Sequence, residues 1–185
     1  MKEISKLMDY RPDIKIVDAT LRDGGLVNGF RFTDEFVKDL YQTNIKAGVD
    51  VMEFGYKADK EMFDVKDFGK WKFCDDEDIR AVVGDNNTDL KIAVMADVGR
   101  CNYKQDIKPR NESPVDVIRV ATYLNQIPAA VDVIEDAAAK GYEVTCNIMA
   151  ISNVQDTDIK VALDILGKSP VSFNVLLSAF TILES

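Results

Sequence analysis

Short apolar runs alternate with stretches of helical periodicity along most of this chain. Ile14 to Val17 alternate with Lys15 and lead into Asp18-Ala19-Thr20-Leu21, a β-type run stopped by Gly24-Gly25, which predicts strand one. Thr33 followed by Asp34 and Glu35 has the form of an N-cap with an acidic first turn, and Phe36, Val37, Leu40, Tyr41 and Ile45 recur at helical spacing until Gly48. Val49 to Tyr56 is a short apolar run and predicts strand two. Residues 57–89 are polar and mixed, with a helix around Asp75 to Val83. Leu90 to Val98 and Val115 to Thr122 are near-continuous apolar runs, the mark of strands buried on both faces of a parallel sheet. Between them, Cys101 to Pro114 is polar and holds two prolines, so no full helix is expected there. Ala129 to Gly141 is the clearest helix, followed by strand five over Glu143 to Ile151, a helix over Asp156 to Leu166 and strand six over Val171 to Ala179.

Strand and helix thus alternate through short connections, which predicts an all-parallel α/β sheet of about six strands with flanking helices. Two architectures fit: an open doubly wound sheet, complete at this length, and a (β/α)8 barrel of which only the N-terminal part is present. Gly24-Gly25 is not followed by the G-x-G-x-x-G pattern and helix of a dinucleotide site, which disfavours a nucleotide-binding open sheet. Residues 1–185 are the size of one domain.

Composition narrows the chemistry. The chain is 46% hydrophobic and 30% charged, an ordinary globular balance, and its longest apolar stretches are too short or interrupted to span a bilayer. Met1 to Arg11 carries Lys2, Glu3, Lys6, Asp9 and Arg11 and has no apolar signal-peptide core, so a cytoplasmic location is expected. A net charge of -9 with scattered basic residues argues against a nucleic-acid partner. There is no histidine, which removes the commonest general base and the commonest zinc ligand together.

The charged residues that stand out are at the end of strand one, in Asp18-Ala19-Thr20-Leu21-Arg22-Asp23-Gly24-Gly25. In parallel α/β folds that end of a strand is where ligands bind. An arginine there can grip a carboxylate or enolate in two-pronged fashion, beside an aspartate able to bind a hard cation. An ordinary Arg-Asp pair at a surface turn accounts for the same spacing.

Asp18-Ala19-Thr20-Leu21-Arg22-Asp23-Gly24 resembles the D-x-T-L-R-D-G signature of the DRE-TIM metallolyases, the HMGL-like superfamily of barrel lyases and acyl synthases. With Gly25, Asn28 and Phe32 it is most similar to the 4-hydroxy-2-oxovalerate aldolase branch, and Val51 to Tyr56 and Val117 to Thr122 resemble that branch's second and fourth strands. The resemblance runs from about Ile14 to Pro170 and implies a partial TIM barrel that cleaves or forms a carbon–carbon bond of a small 2-oxo acid. It implies Arg22 as the arginine that steadies the enolate, Asp23 as a catalytic carboxylate and ligand of a divalent metal (Mn or Mg), and Glu53 as a glutamate beside that arginine. Glu53 also reads as a structurally paired buried acid, and Arg119 either faces the substrate carboxylate or pairs with a neighbouring acid.

Three departures accompany it. The family's two metal-binding histidines have no counterpart, Leu26 stands about where the aldolases carry a histidine, and Leu177-Ser178-Ala179-Phe180 lacks the V-D-S-x-G form of the sixth strand. From Val171 the tail looks shortened or altered relative to the family. Metal is therefore expected to be absent or weakly held, and the isolated chain to be inactive or weakened, with a non-catalytic scaffold or assembly domain as the alternative. A sheet of six strands leaves two edges, and the tail holds Phe173, Val175, Leu176, Leu177, Phe180 and Ile182, so a two-fold homodimer built on strand six and the tail is expected.

Cys74, Cys101 and Cys146 have no paired spacing and are read as free thiols. Thiol titration in denaturant without reductant is expected to count all three; a count of one would reveal a disulfide.

Overall fold

The computed structural model describes residues 14–171 and 175–177. Its frame is one parallel sheet in which every strand pairs with the next in sequence, in the order β1-β2-β3-β4-β5-β6. The strands are β1 (Val17–Asp18), β2 (Val51–Tyr56), β3 (Lys91–Asp97), β4 (Val117–Thr122), β5 (Glu143–Ile148) and β6 (Val175–Leu177). A doubly wound sheet would reverse its strand order part-way, whereas a barrel adds each strand beside the last. The unbroken order makes this a partial (β/α)8 barrel, and the open-sheet alternative is excluded.

The helices are α1 (Thr20–Asn28), α2 (Asp34–Ala47), α3 (Asp76–Val83), α4 (Tyr103–Asp106), α5 (Ile127–Ala139) and α6 (Asp156–Leu166). Helix α2 forms where the sequence places it: the Thr33 hydroxyl accepts the Phe36 N–H at 3.3 Å, and left-handed Gly48 closes the other end. Between β3 and β4 the expected lack of a full helix is also found, with the four-residue α4 and a 3-10 turn at Arg110–Glu112 in its place.

One expectation is corrected. Strand one was to run through Leu21 and stop at Gly24-Gly25, but β1 is only two residues long and residues 20–28 are helical. The Asp18 carboxylate accepts from both the backbone N–H of Thr20, at 3.1 Å, and its hydroxyl, at 2.5 Å, turning the chain out of the sheet at once. Gly25 then serves packing inside α1, since a Cβ there would lie 2.2 Å from the Phe30 ring.

Alternation along the strands sorts side chains between two faces. Met52, Phe54, Ile92, Val94, Ile118, Val120, Val144 and Cys146 pack with Val37, Tyr41, Ile79, Ile134, Ala137 and Leu166 of the helices in one apolar cluster. The opposite, inner face carries Glu53, Ala93, Met95, Arg119, Thr145 and Asn147, matched in register as Glu53 with Ala93, Met95 with Arg119 and Arg119 with Thr145. The apolar side supplies burial energy; the inner side supplies charge.

A bulge in β2 shapes that inner face. Glu53 pairs with Ala93 and Tyr56 with Met95, so Phe54 and Gly55 of β2 stand opposite Val94 alone, and both Glu53 and Tyr56 face inward. Gly55 lies in the bulge, and a Cβ on it would meet the Trp71 carbonyl oxygen at 1.9 Å. The 3-10 turn Lys70–Lys72 is therefore seated directly on the β2 backbone, with Trp71 fully buried against Phe54. The dimer expected on strand six and the tail falls, apart from the backbone of β6, outside the described residues.

Gly55→Ala is expected to cost roughly 1–3 kcal/mol of stability through this clash with backbone. A urea midpoint equal to that of the parent protein would contradict the close approach.

Candidate active site at the carboxyl ends of the strands

The four residues singled out in the sequence form one connected cluster. Glu53, on the inner face of β2, is completely buried, and its Oε2 accepts from Arg22 Nε at 2.9 Å and from Arg119 Nη1 at 2.5 Å. Arg22 also donates through Nη1 to Asp23 Oδ1 at 2.8 Å. Helix α1 supplies Arg22 and Asp23, and β4 supplies Arg119. Arg119 thus pairs with an acid, one of the two readings its position allowed. Leu26 lies on α1 and is 53% exposed.

Exposure divides the cluster. The side chains of Glu53 and Arg119 are 0% and 7% exposed, that of Arg22 18%, and that of Asp23 66%. Burial alone would strip Arg22 of its proton more easily, but the Glu53 carboxylate, the hydrogen bond to it and the nearby Tyr56 phenol outweigh that and hold its pKa above the usual arginine value. Arg22 therefore stays a cation held in a fixed orientation. Oε1 of Glu53 is buried without a hydrogen-bond partner among the described residues, so the cluster carries one unused buried acceptor.

Two further groups at the same end of the sheet escaped the sequence reading. Burial pushes the Tyr56 phenol up, with Arg22 opposing, and the Tyr56 hydroxyl stays protonated. Burial likewise raises the Asp97 carboxyl at the end of β3, against the pull of Arg100 and Lys72. Both are last residues of their strands, and searching strand ends for polar side chains would have found them. Lys72, on the turn seated against β2, had no such signal.

The described residues do not build a metal centre. No group of three or more His, Cys, Asp or Glu among them is placed to hold an ion. At the cluster, one Glu53 oxygen is taken by two arginines and one Asp23 oxygen by Arg22, whereas hard cations need six or more oxygen ligands. No described helix is long and apolar enough to cross a membrane. A surface groove lined by Leu124, Pro128, Val161 and Ile165 among others contains none of the four clustered residues.

Comparison with known proteins agrees with this architecture. Over 145 residues, 78% of its length, the chain is 28% identical to 4-hydroxy-2-oxovalerate aldolase 6 of Rhodococcus jostii (strain RHA1). The match takes in 40% of that protein, so the chain spans well under half the length of this curated relative. Among solved structures it is similar to the N-terminal domain of a protein described as a "putative aldolase" from Bacteroides vulgatus. That match has a TM-score of 0.58 and 21% identity, covers 90% of this chain and 62% of the other, and bears on the fold. No family model matches the chain. The resemblance to the aldolase branch of the DRE-TIM metallolyases, first read from residues 18–24, is thus found again over most of the chain.

Glu53→Gln removes the charge shared by the buried Arg119 and the half-buried Arg22, and is expected to destabilise the fold by roughly 3 kcal/mol. Asp23→Asn, at an exposed position, should change stability by less than about 0.5 kcal/mol. Urea unfolding of both variants checks this; equal midpoints would mean that the buried bridge contributes nothing.

Proposed function

We propose that this chain is the N-terminal part of an aldolase, a carbon–carbon lyase acting on a small 2-oxo acid of the 4-hydroxy-2-oxovalerate kind. The observation that carries the reading is the fixed cation: Arg22, oriented by buried Glu53 and by Asp23, at the end of the sheet where barrel enzymes hold their substrates. As the C4 hydroxyl gives its proton to water and becomes the carbonyl of the leaving aldehyde, the C3–C4 bond breaks and its electron pair delocalises from C3 onto the C2 oxygen; a proton from water on C3 then gives pyruvate. A guanidinium already in place stabilises that oxygen without reorganising as charge develops. Glu53 and Arg119 are positioning residues in this reading, since both act through the orientation of Arg22.

The resemblance implies a family that works with a divalent cation, but Asp23 is the one ligand it assigns among the described residues. No step is therefore assigned to a metal. Asp23 holds Arg22 through Oδ1, with its side chain 66% exposed.

Pyruvate release from 4-hydroxy-2-oxovalerate, followed by reduction with lactate dehydrogenase and NADH, tests the proposal on the purified protein with and without manganese. Arg22→Met is expected to lower kcat by about 10²- to 10³-fold, the loss seen when one oxyanion donor is removed. Turnover unchanged by that substitution would sink the reading, and no pyruvate release under either condition would favour the non-catalytic scaffold domain.

A further inference from the structure

Lys72 is 8% exposed, and its ammonium lies among four aromatic rings: 4.4 Å from the centroid of Phe63, 4.7 Å from Tyr56, 5.0 Å from Phe30 and 5.5 Å from Phe68. Among the described residues its Nζ has neither a hydrogen bond nor an ion pair. Lys57 shows what a buried lysine ordinarily requires: at 5% exposure it donates to the Cys74 carbonyl and to Asp76 Oδ1, both at 2.8 Å. The rings offset part of the cost of burying Lys72, but they satisfy none of its three N–H donors. The opposite charge that acts on it most strongly is Asp97, engaged at 3.8 Å by Arg100.

This arrangement is built at some cost. Phe30 takes a left-handed backbone conformation, φ 63°, which a bulky residue rarely adopts, and so brings its ring edge-on to Tyr56 at 5.6 Å. The backbone N–H of Gly69 donates to the Gly29 carbonyl at 2.8 Å, docking the lysine-bearing turn beside Phe30. A methionine in place of Lys72 would fill the same aromatic cluster without desolvating a charge. Burial draws the ammonium below the ordinary lysine pKa, with Arg100 acting the same way and Asp97 against it. An incoming carboxylate would supply the missing acceptor.

The ring that ties this lysine to the cluster is Tyr56, which borders Lys72 on one side and interacts with Arg22 on the other. We propose that Lys72 is the anchor for the carboxylate of the small 2-oxo acid, binding it beside Arg22 through an ammonium that the fold leaves without an acceptor. The proposal rests on the aldolase reading for its ligand class. It assigns the lysine a binding role and no covalent one.

Calorimetric titration of the full chain with pyruvate, and with the neutral analogue pyruvamide, tests it. Pyruvate is expected to bind, and both pyruvamide and the Lys72→Met variant to show affinity lower by about 10- to 100-fold, the loss of one charge-assisted contact. Lys72→Arg should recover part of it. Should Lys72→Met not fold, judged by circular dichroism, the pyruvate and pyruvamide comparison on the unaltered chain decides alone. Equal affinity for the two ligands, no pyruvate binding, unchanged binding in Lys72→Met, or a pyruvyl adduct on Lys72 trapped by cyanoborohydride would each overturn it. Pyruvate bound through Lys72 without cleavage of 4-hydroxy-2-oxovalerate would uphold the anchor and favour the non-catalytic scaffold over the aldolase reading. Cleavage with unchanged KM in Lys72→Met would refute the anchor alone.

Discussion

The site depends on one buried carboxylate oxygen shared by two arginines. Glu53 stands on β2 and Arg119 on β4, with β3 between them, so the bridge crosses two strand spacings, roughly 10 Å of backbone separation. It closes because Ala93, the β3 residue in register with Glu53, is small, and because the inner side chains of a curled sheet converge. A carboxylate with no exposure is costly to bury without partners, and here two guanidinium groups donate to one of its oxygens. Arg22 gains its fixed orientation from that arrangement, and the proposed chemistry needs a cation that does not move.

Around this bridge, the chain uses backbone contact to bring remote residues to one end of the sheet. The β2 bulge turns Tyr56 inward, and the absence of a side chain at Gly55 lets the turn carrying Lys72 rest on the strand. The long segment between β2 and α3 thereby becomes part of the site rather than a surface connection. Aromatic rings from α1's exit and from this segment meet around a single ammonium.

The order of the sheet was legible because continuous apolar runs and helical periodicity are properties of consecutive residues. Helix α2, with Thr33 and Gly48 at its ends, and the broken unit between β3 and β4, with its prolines, show the pattern and its interruption equally well. The four clustered residues were legible through resemblance and through the rule that ligands gather at strand ends. Helix α1 was not: Thr20-Leu21 continues an apolar run, and nothing local announces that Asp18 will turn the chain out of the sheet. Lys72 was invisible for a different reason, since its surroundings come from residues 30, 56, 63 and 68 and exist only after the bulge and the Gly55 contact have formed.

The bridge also has a meaning for synthesis on the ribosome. Glu53 leaves the tunnel 66 residues before Arg119, an interval of roughly 3 to 13 s at ordinary elongation rates. Until Arg119 follows, the nascent strands hold only Arg22 of the two arginines as a counter-charge and cannot bury the carboxylate without penalty. The emergence of β4 removes that penalty, so the inner face closes as a consequence of translation reaching residue 119, and a pause before that point would leave an acidic, hydrated face open to solvent.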